Sequence, residues 1–109
     1  MAQTVTQSTN PGSVCNIAVG RILDTGTVAA FTVTTGFKAR YVEVVNVTSG
    51  DQMRWYEGMA AASAVKQVAA GTTSIITSLG ITVSDKAFII GLDTDVNVTS
   101  EQLSWIALG

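Results

Sequence analysis

The chain has 109 residues, which suits one domain with one core. Hydrophobic residues make up 47% and charged residues only 13%, so this is not a disordered chain. The net charge is −2 and the basic residues Arg21, Lys38, Arg40, Arg54, Lys66 and Lys86 are scattered, so no patch could neutralise several phosphates and nucleic acid is not an expected partner.

The N-terminal stretch, residues 1–13, is polar and holds the only proline, Pro11. It has no basic flank and no apolar core, so it is not expected to be a signal peptide. It reads as an extended arm that adds a strand to its own sheet or docks on a neighbouring chain, the second being favoured. Residues 14–109 read as a single β domain. Cys15 is the only cysteine, which excludes an intrachain disulfide and suits synthesis in a reducing cytosol.

Thr and Val are abundant, and β-branched side chains pack well on a pleated surface. Strands are expected over Asn16 to Ile22 and Thr27 to Thr35, separated by an Asp24-Thr25-Gly26 turn. The strongest strand signal runs from Ala39 to Val47. Val42 and Val44 share one face; Tyr41, Glu43, Val45 and Val47 share the other, as in a central strand. Thr48-Ser49-Gly50-Asp51 signals a turn into Gln52 to Glu57, which makes a hairpin with Met53, Trp55 and Glu57 on one side. Met59 to Lys66 is Ala-rich and reads as a short helical turn or an extended loop between Gly58 and Gly71. Thr72 to Ser78 and Ile81 to Val83 read as two short strands around Leu79-Gly80. Ala87 to Leu92 is apolar, Asp93 to Thr99 alternates like a solvated strand face, and Leu103 to Leu108 is a C-terminal strand centred on Trp105. About seven to nine short strands imply an all-β fold, an antiparallel sandwich or a small barrel. No apolar stretch approaches the roughly 20 residues that cross a bilayer as a helix, so no membrane is expected as partner.

Histidine is absent, which removes the commonest general base and zinc ligand and every Ser-His or Cys-His nucleophile. No enzyme, cofactor or metal is expected. Cys15 reads as a small apolar residue. Glu43 and Glu57 lie in adjacent strands of the expected hairpin, with Arg40 or Arg54 available to neutralise them; structural pairing is favoured over acid–base catalysis. Asp93-x-Asp95-x-Asn97 begins like a calcium loop, but Val98 and Ser104 stand where that loop needs Gly and Glu. Asn46-Val47-Thr48 and Asn97-Val98-Thr99 match the glycosylation pattern and are read as chance matches. There is no phosphate loop or dinucleotide fingerprint. Trp55, Tyr56 and Trp105 read as core or interface residues rather than a sugar site.

Several short motifs from Phe37 to Ala107 together carry a family resemblance. They are Val42-Glu43-Val44-Val45-Asn46-Val47-Thr48, Trp55-Tyr56-Glu57-Gly58-Met59, Ala69-Ala70-Gly71-Thr72, Gly80-Ile81-Thr82-Val83, Phe88-Ile89-Ile90-Gly91 and Trp105-Ile106-Ala107. In order and spacing this set resembles a family of small virion structural proteins of tailed bacteriophages. The resemblance implies a non-enzymatic part of the particle, expected to be a capsid decoration (cement) protein, made in the host cytoplasm and placed on the capsid surface. It implies the major capsid protein and copies of itself as partners, with a homotrimer as the expected state. Thr4, Val5 and Thr6 of the arm, with Trp55, Tyr56 and Met59, are the expected contact residues. A tail or fibre component, or a receptor-binding adhesin presenting the Ala60-to-Gly71 segment, is the alternative.

Overall fold

The computed structural model describes residues 16–23 and 29–109. The expected arm, Cys15 and the Asp24-Thr25-Gly26 turn lie outside these residues. The described chain is all-β. Its strands are β1 (Ile17–Leu23), β2 (Phe31–Thr34), β3 (Tyr41–Asn46), β4 (Gln52–Tyr56), β5 (Ser63–Gln67), β6 (Thr73–Val83), β7 (Ala87–Ile90) and β8 (Gln102–Leu108). They form one antiparallel sheet in the order β1-β8-β3-β4-β5-β6-β7-β2. Of the two architectures open from sequence, the curled one is found: the sheet is a half-barrel.

The curl can be read from one aromatic contact. β8 is second in the sheet order and β7 is seventh. In a flat sheet they would stand about 24 Å apart, at about 4.8 Å per strand. Yet Trp105 of β8 and Phe88 of β7 meet edge-to-face with ring centroids 5.3 Å apart. Such a pair adds about 0.5–1.5 kcal/mol beyond the area it buries.

The period-2 alternation of each strand decides what fills the interior. Val42 and Val44 on β3, Met53 and Trp55 on β4, Ile81 on β6, Phe88 and Ile90 on β7, and Leu103 and Ala107 on β8 turn inward and are buried. Val96, in the loop after β7, joins the same core. The β3–β4 hairpin appears as expected, with Val42 opposite Trp55 and Val44 opposite Met53. β3 is central, held between β4 and the C-terminal strand β8.

Gly20 on β1 sits directly opposite Trp105 on β8. A Cβ at Gly20 would lie 2.6 Å from the indole Cζ2, so the ring covers the space that glycine leaves open. Gly20→Ala is expected to push Trp105 against Phe88 and cost about 1–3 kcal/mol. Urea unfolding checks this, and an unchanged midpoint would refute the packing role given to Gly20.

Two sequence expectations are corrected. Ser63 to Gln67 is a strand of the sheet, neither a helical turn nor a loop. Thr73–Val83 is one strand, not two. Its ladder to β5 jumps: Ala64 pairs with Ile76 but Ser63 pairs with Ile81, so Thr77 to Gly80 bulge out. A bulge of this kind bends a strand and sharpens the curl of the sheet. Leu79 within it has a positive φ of 60°, a strained conformation for a bulky side chain. Gly80 must be glycine because a Cβ there would lie 2.6 Å from the Ser63 carbonyl.

Candidate functional site: the Trp55 pocket and the outer sheet face

A pocket opens at one end of the half-barrel, with a volume of about 290 Å³. Lys38, Ala39, Trp55, Glu57, Met59 and Val83 are among its lining residues. Trp55 is nearly buried and its Nε1 donates to the Ala60 carbonyl at 3.3 Å, which pins the ring. The Met59 sulfur accepts the Tyr56 N–H at 3.3 Å, folding the Glu57-Gly58 turn back over the strand end. The volume is at the low end for a small-molecule site and fits an inserted side chain better.

The expected contact residues therefore divide. Trp55 and Met59 share this pocket. Tyr56 points to the opposite side of the sheet, where it meets Tyr41 edge-to-face at 5.2 Å. Thr4, Val5 and Thr6 lie outside the described residues. Lys38, Ala39 and Val83 were not legible as pocket residues, since no local motif links three separate segments.

The outer sheet face carries a second arrangement. Ladder registers align Val19, Ile106, Glu43, Arg54, Val65 and Ile75 in one row across six strands. Val19 and Ile75 at its ends are 68% and 70% exposed. Glu43 and Arg54 sit opposite each other in the middle, so the acid meets a base rather than Glu57. Glu57 instead lies 3.9 Å from Arg40. Arg54 Nε is buried and has no hydrogen-bond partner, an arrangement that costs free energy in the isolated chain. Tyr41 on the same face has its phenol raised above 10.0, first by burial and then by the Glu43 charge.

The Asp93-to-Asn97 segment is neither a solvated strand face nor a cation loop. Asp93 and Asn97 are buried. Asp93 Oδ1 accepts the N–H groups of Asp95 and Val96, which makes a turn. The Lys66 ammonium donates to Asp93 Oδ2 at 2.9 Å and Asp95 Oδ2 at 2.7 Å, where a cation would otherwise sit. Burial alone would depress the Lys66 ammonium, but hydrogen bonds to Asp95 and Asp93 outweigh it and raise it above 10.5. Asn46 is fully buried; it donates to the Val96 carbonyl and Glu101 and accepts the N–H groups of Thr48 and Ser49. Asn97 donates to the carbonyls of Ala29 and Gly91. These polar side chains are committed to holding loops. Among the described residues no group of three or more Cys, Asp or Glu side chains could hold a metal ion.

No family model matches the chain, and no curated protein or solved structure matches it either.

Proposed function

We propose that this chain is a structural protein of a tailed-bacteriophage virion, a decoration protein that binds the major capsid lattice and stabilises the head. The observation that carries the reading is the outer sheet face. Its row from Val19 to Ile75 spans six strands and holds only one acid and one base. Exposed apolar side chains on such a face mark contact with other proteins. The sequence resemblance from Phe37 to Ala107 supports the same reading. Many copies, each bridging neighbours through modest contacts, would resist internal pressure collectively.

Copy number per particle tests this reading. Quantitative gel analysis of purified virions is expected to give hundreds of copies. A few to a few tens would place the chain in the tail or a fibre, and absence from the particle would overturn the proposal. The pocket around Trp55 and Met59 is the second expected contact, sized for a side chain of the capsid subunit.

A further inference from the structure

Among the described residues, β1 presents an unpaired outer edge. β1 ends the sheet, and no described segment pairs with its outer side. Gly109 N donates to Asn16 O at 2.9 Å, which fixes the alternation along the β1–β8 ladder. Asn16, Ala18, Gly20 and Ile22 turn their N–H and C=O groups towards β8. Ile17, Val19, Arg21 and Leu23 turn theirs away, towards the open edge. The side chains of Ile17, Val19 and Leu23 are 57%, 68% and 58% exposed. Edges of this kind are normally blunted by charge, proline or brevity. β1 has seven residues, no proline and one charge, Arg21. The opposite edge, β2, has only four residues.

We propose that β1 pairs antiparallel with β1 of a second copy of this chain, about a two-fold axis through Gly20. In that register Ile17 faces Leu23 of the partner subunit, so the exposed apolar ends cover each other. Val19 faces Arg21 of the partner subunit, which sets the two guanidinium groups diagonal to one another. On the inner side Ala18 faces Ile22 of the partner subunit, small against large, and the two Gly20 residues meet on the axis. Every backbone group that β1 turns outward gains a partner. The neighbouring axes are worse. An axis at Arg21 sets two like charges directly opposite, which is destabilising. An axis at Val19 leaves Leu23 outside the paired strand. The pairing would join two sheets into one continuous surface, an isologous contact of the commonest kind, and gives a dimer in place of the homotrimer that the family resemblance implies.

Val19→Pro tests the pairing in the full chain. The Val19 N–H points to the open edge, so proline removes a donor of the proposed seam and leaves the β1–β8 ladder intact. Sedimentation equilibrium over a concentration series is expected to show a wild-type dimer, with association weakened about tenfold or more in the variant. Ile17→Lys keeps the N–H and places a charge in the seam; it is expected to weaken association likewise, so the test survives if the proline variant misfolds. Residue-resolved amide exchange reads the register. The N–H groups of Ile17, Val19, Arg21 and Leu23 should exchange slowly at high concentration and quickly on dilution. A wild-type monomer at every concentration would overturn the proposal. So would outward amides that ignore concentration, or an oligomer that both variants leave unchanged.

Discussion

Asp93→Ala is expected to destabilise the domain by about 3–5 kcal/mol, the cost of breaking a buried ion pair and leaving the Lys66 ammonium only the half-exposed Asp95 carboxylate. The Asp93 side chain is 8% exposed and Lys66 is 12% exposed, so water cannot replace the lost carboxylate. The same substitution removes the oxygen that accepts the Asp95 and Val96 N–H groups. Asp95→Ala removes the other ligand of the same ammonium, but Asp95 is 49% exposed, and the expected loss is under about 1 kcal/mol. Urea unfolding of the two variants side by side checks the contrast; equal losses would refute it. The pair also sets an alkaline limit. Lys66 is raised in the folded chain, so its contribution is fully present below the ordinary lysine value of 10.5 and is lost as pH rises through the folded value. Tyr41, raised above 10.0, acts in the same direction. The midpoint of thermal unfolding should fall as pH rises above this range, and fall less in Asp93→Ala, which has already lost the part of the Lys66 contribution that Asp93 supplies and keeps the part from Asp95.

Asn46→Ala is expected to cost about 2–4 kcal/mol, because it strands the buried Val96 carbonyl and two part-buried N–H groups on two loops at once. The Thr48 and Ser49 N–H groups lose their acceptor, at 2.9 Å each, and the Val96 carbonyl loses its donor at the same distance. Chemical denaturation gives the total. Faster exchange of the Thr48 and Ser49 amides identifies the cause. A loss below about 1 kcal/mol would mean that water takes over these bonds.

The two substitutions also mark where the sequence was readable. β4 was legible because Met53 and Trp55 alternate with Gln52, Arg54 and Tyr56 and match one buried face; β1, β3, β7 and β8 were legible as apolar, β-branched-rich runs bounded by turn signals. β5 was not, because its inward residues are Ala64 and Lys66. A charged side chain facing the core cancels the period-2 signal, and nothing local shows that Asp93 waits opposite it. The Asp93-x-Asp95-x-Asn97 spacing misled in the other direction. Alternation suggested a strand, whereas an Asp side chain that accepts backbone N–H groups two and three residues on folds the chain into a turn. The density of Asp, Asn and Thr was the available sign. The pocket was half legible: Trp55 and Met59 stand in one motif, but Lys38 and Val83 join them only through the curl of the sheet.

Both Asn46 and Asn97 open an acceptor triplet for N-linked sugar, and the fold leaves neither amide free: each Nδ2 donates twice inside the protein. The folded domain is therefore no substrate for an oligosaccharyltransferase. The nascent chain would be one if it were threaded into the lumen of a eukaryotic secretory compartment. A glycan attached there would take an N–H that the loops require and place a bulky sugar where no space exists. Secretion from a glycosylating cell would then set modification against folding, and the modified fraction could not reach the native state.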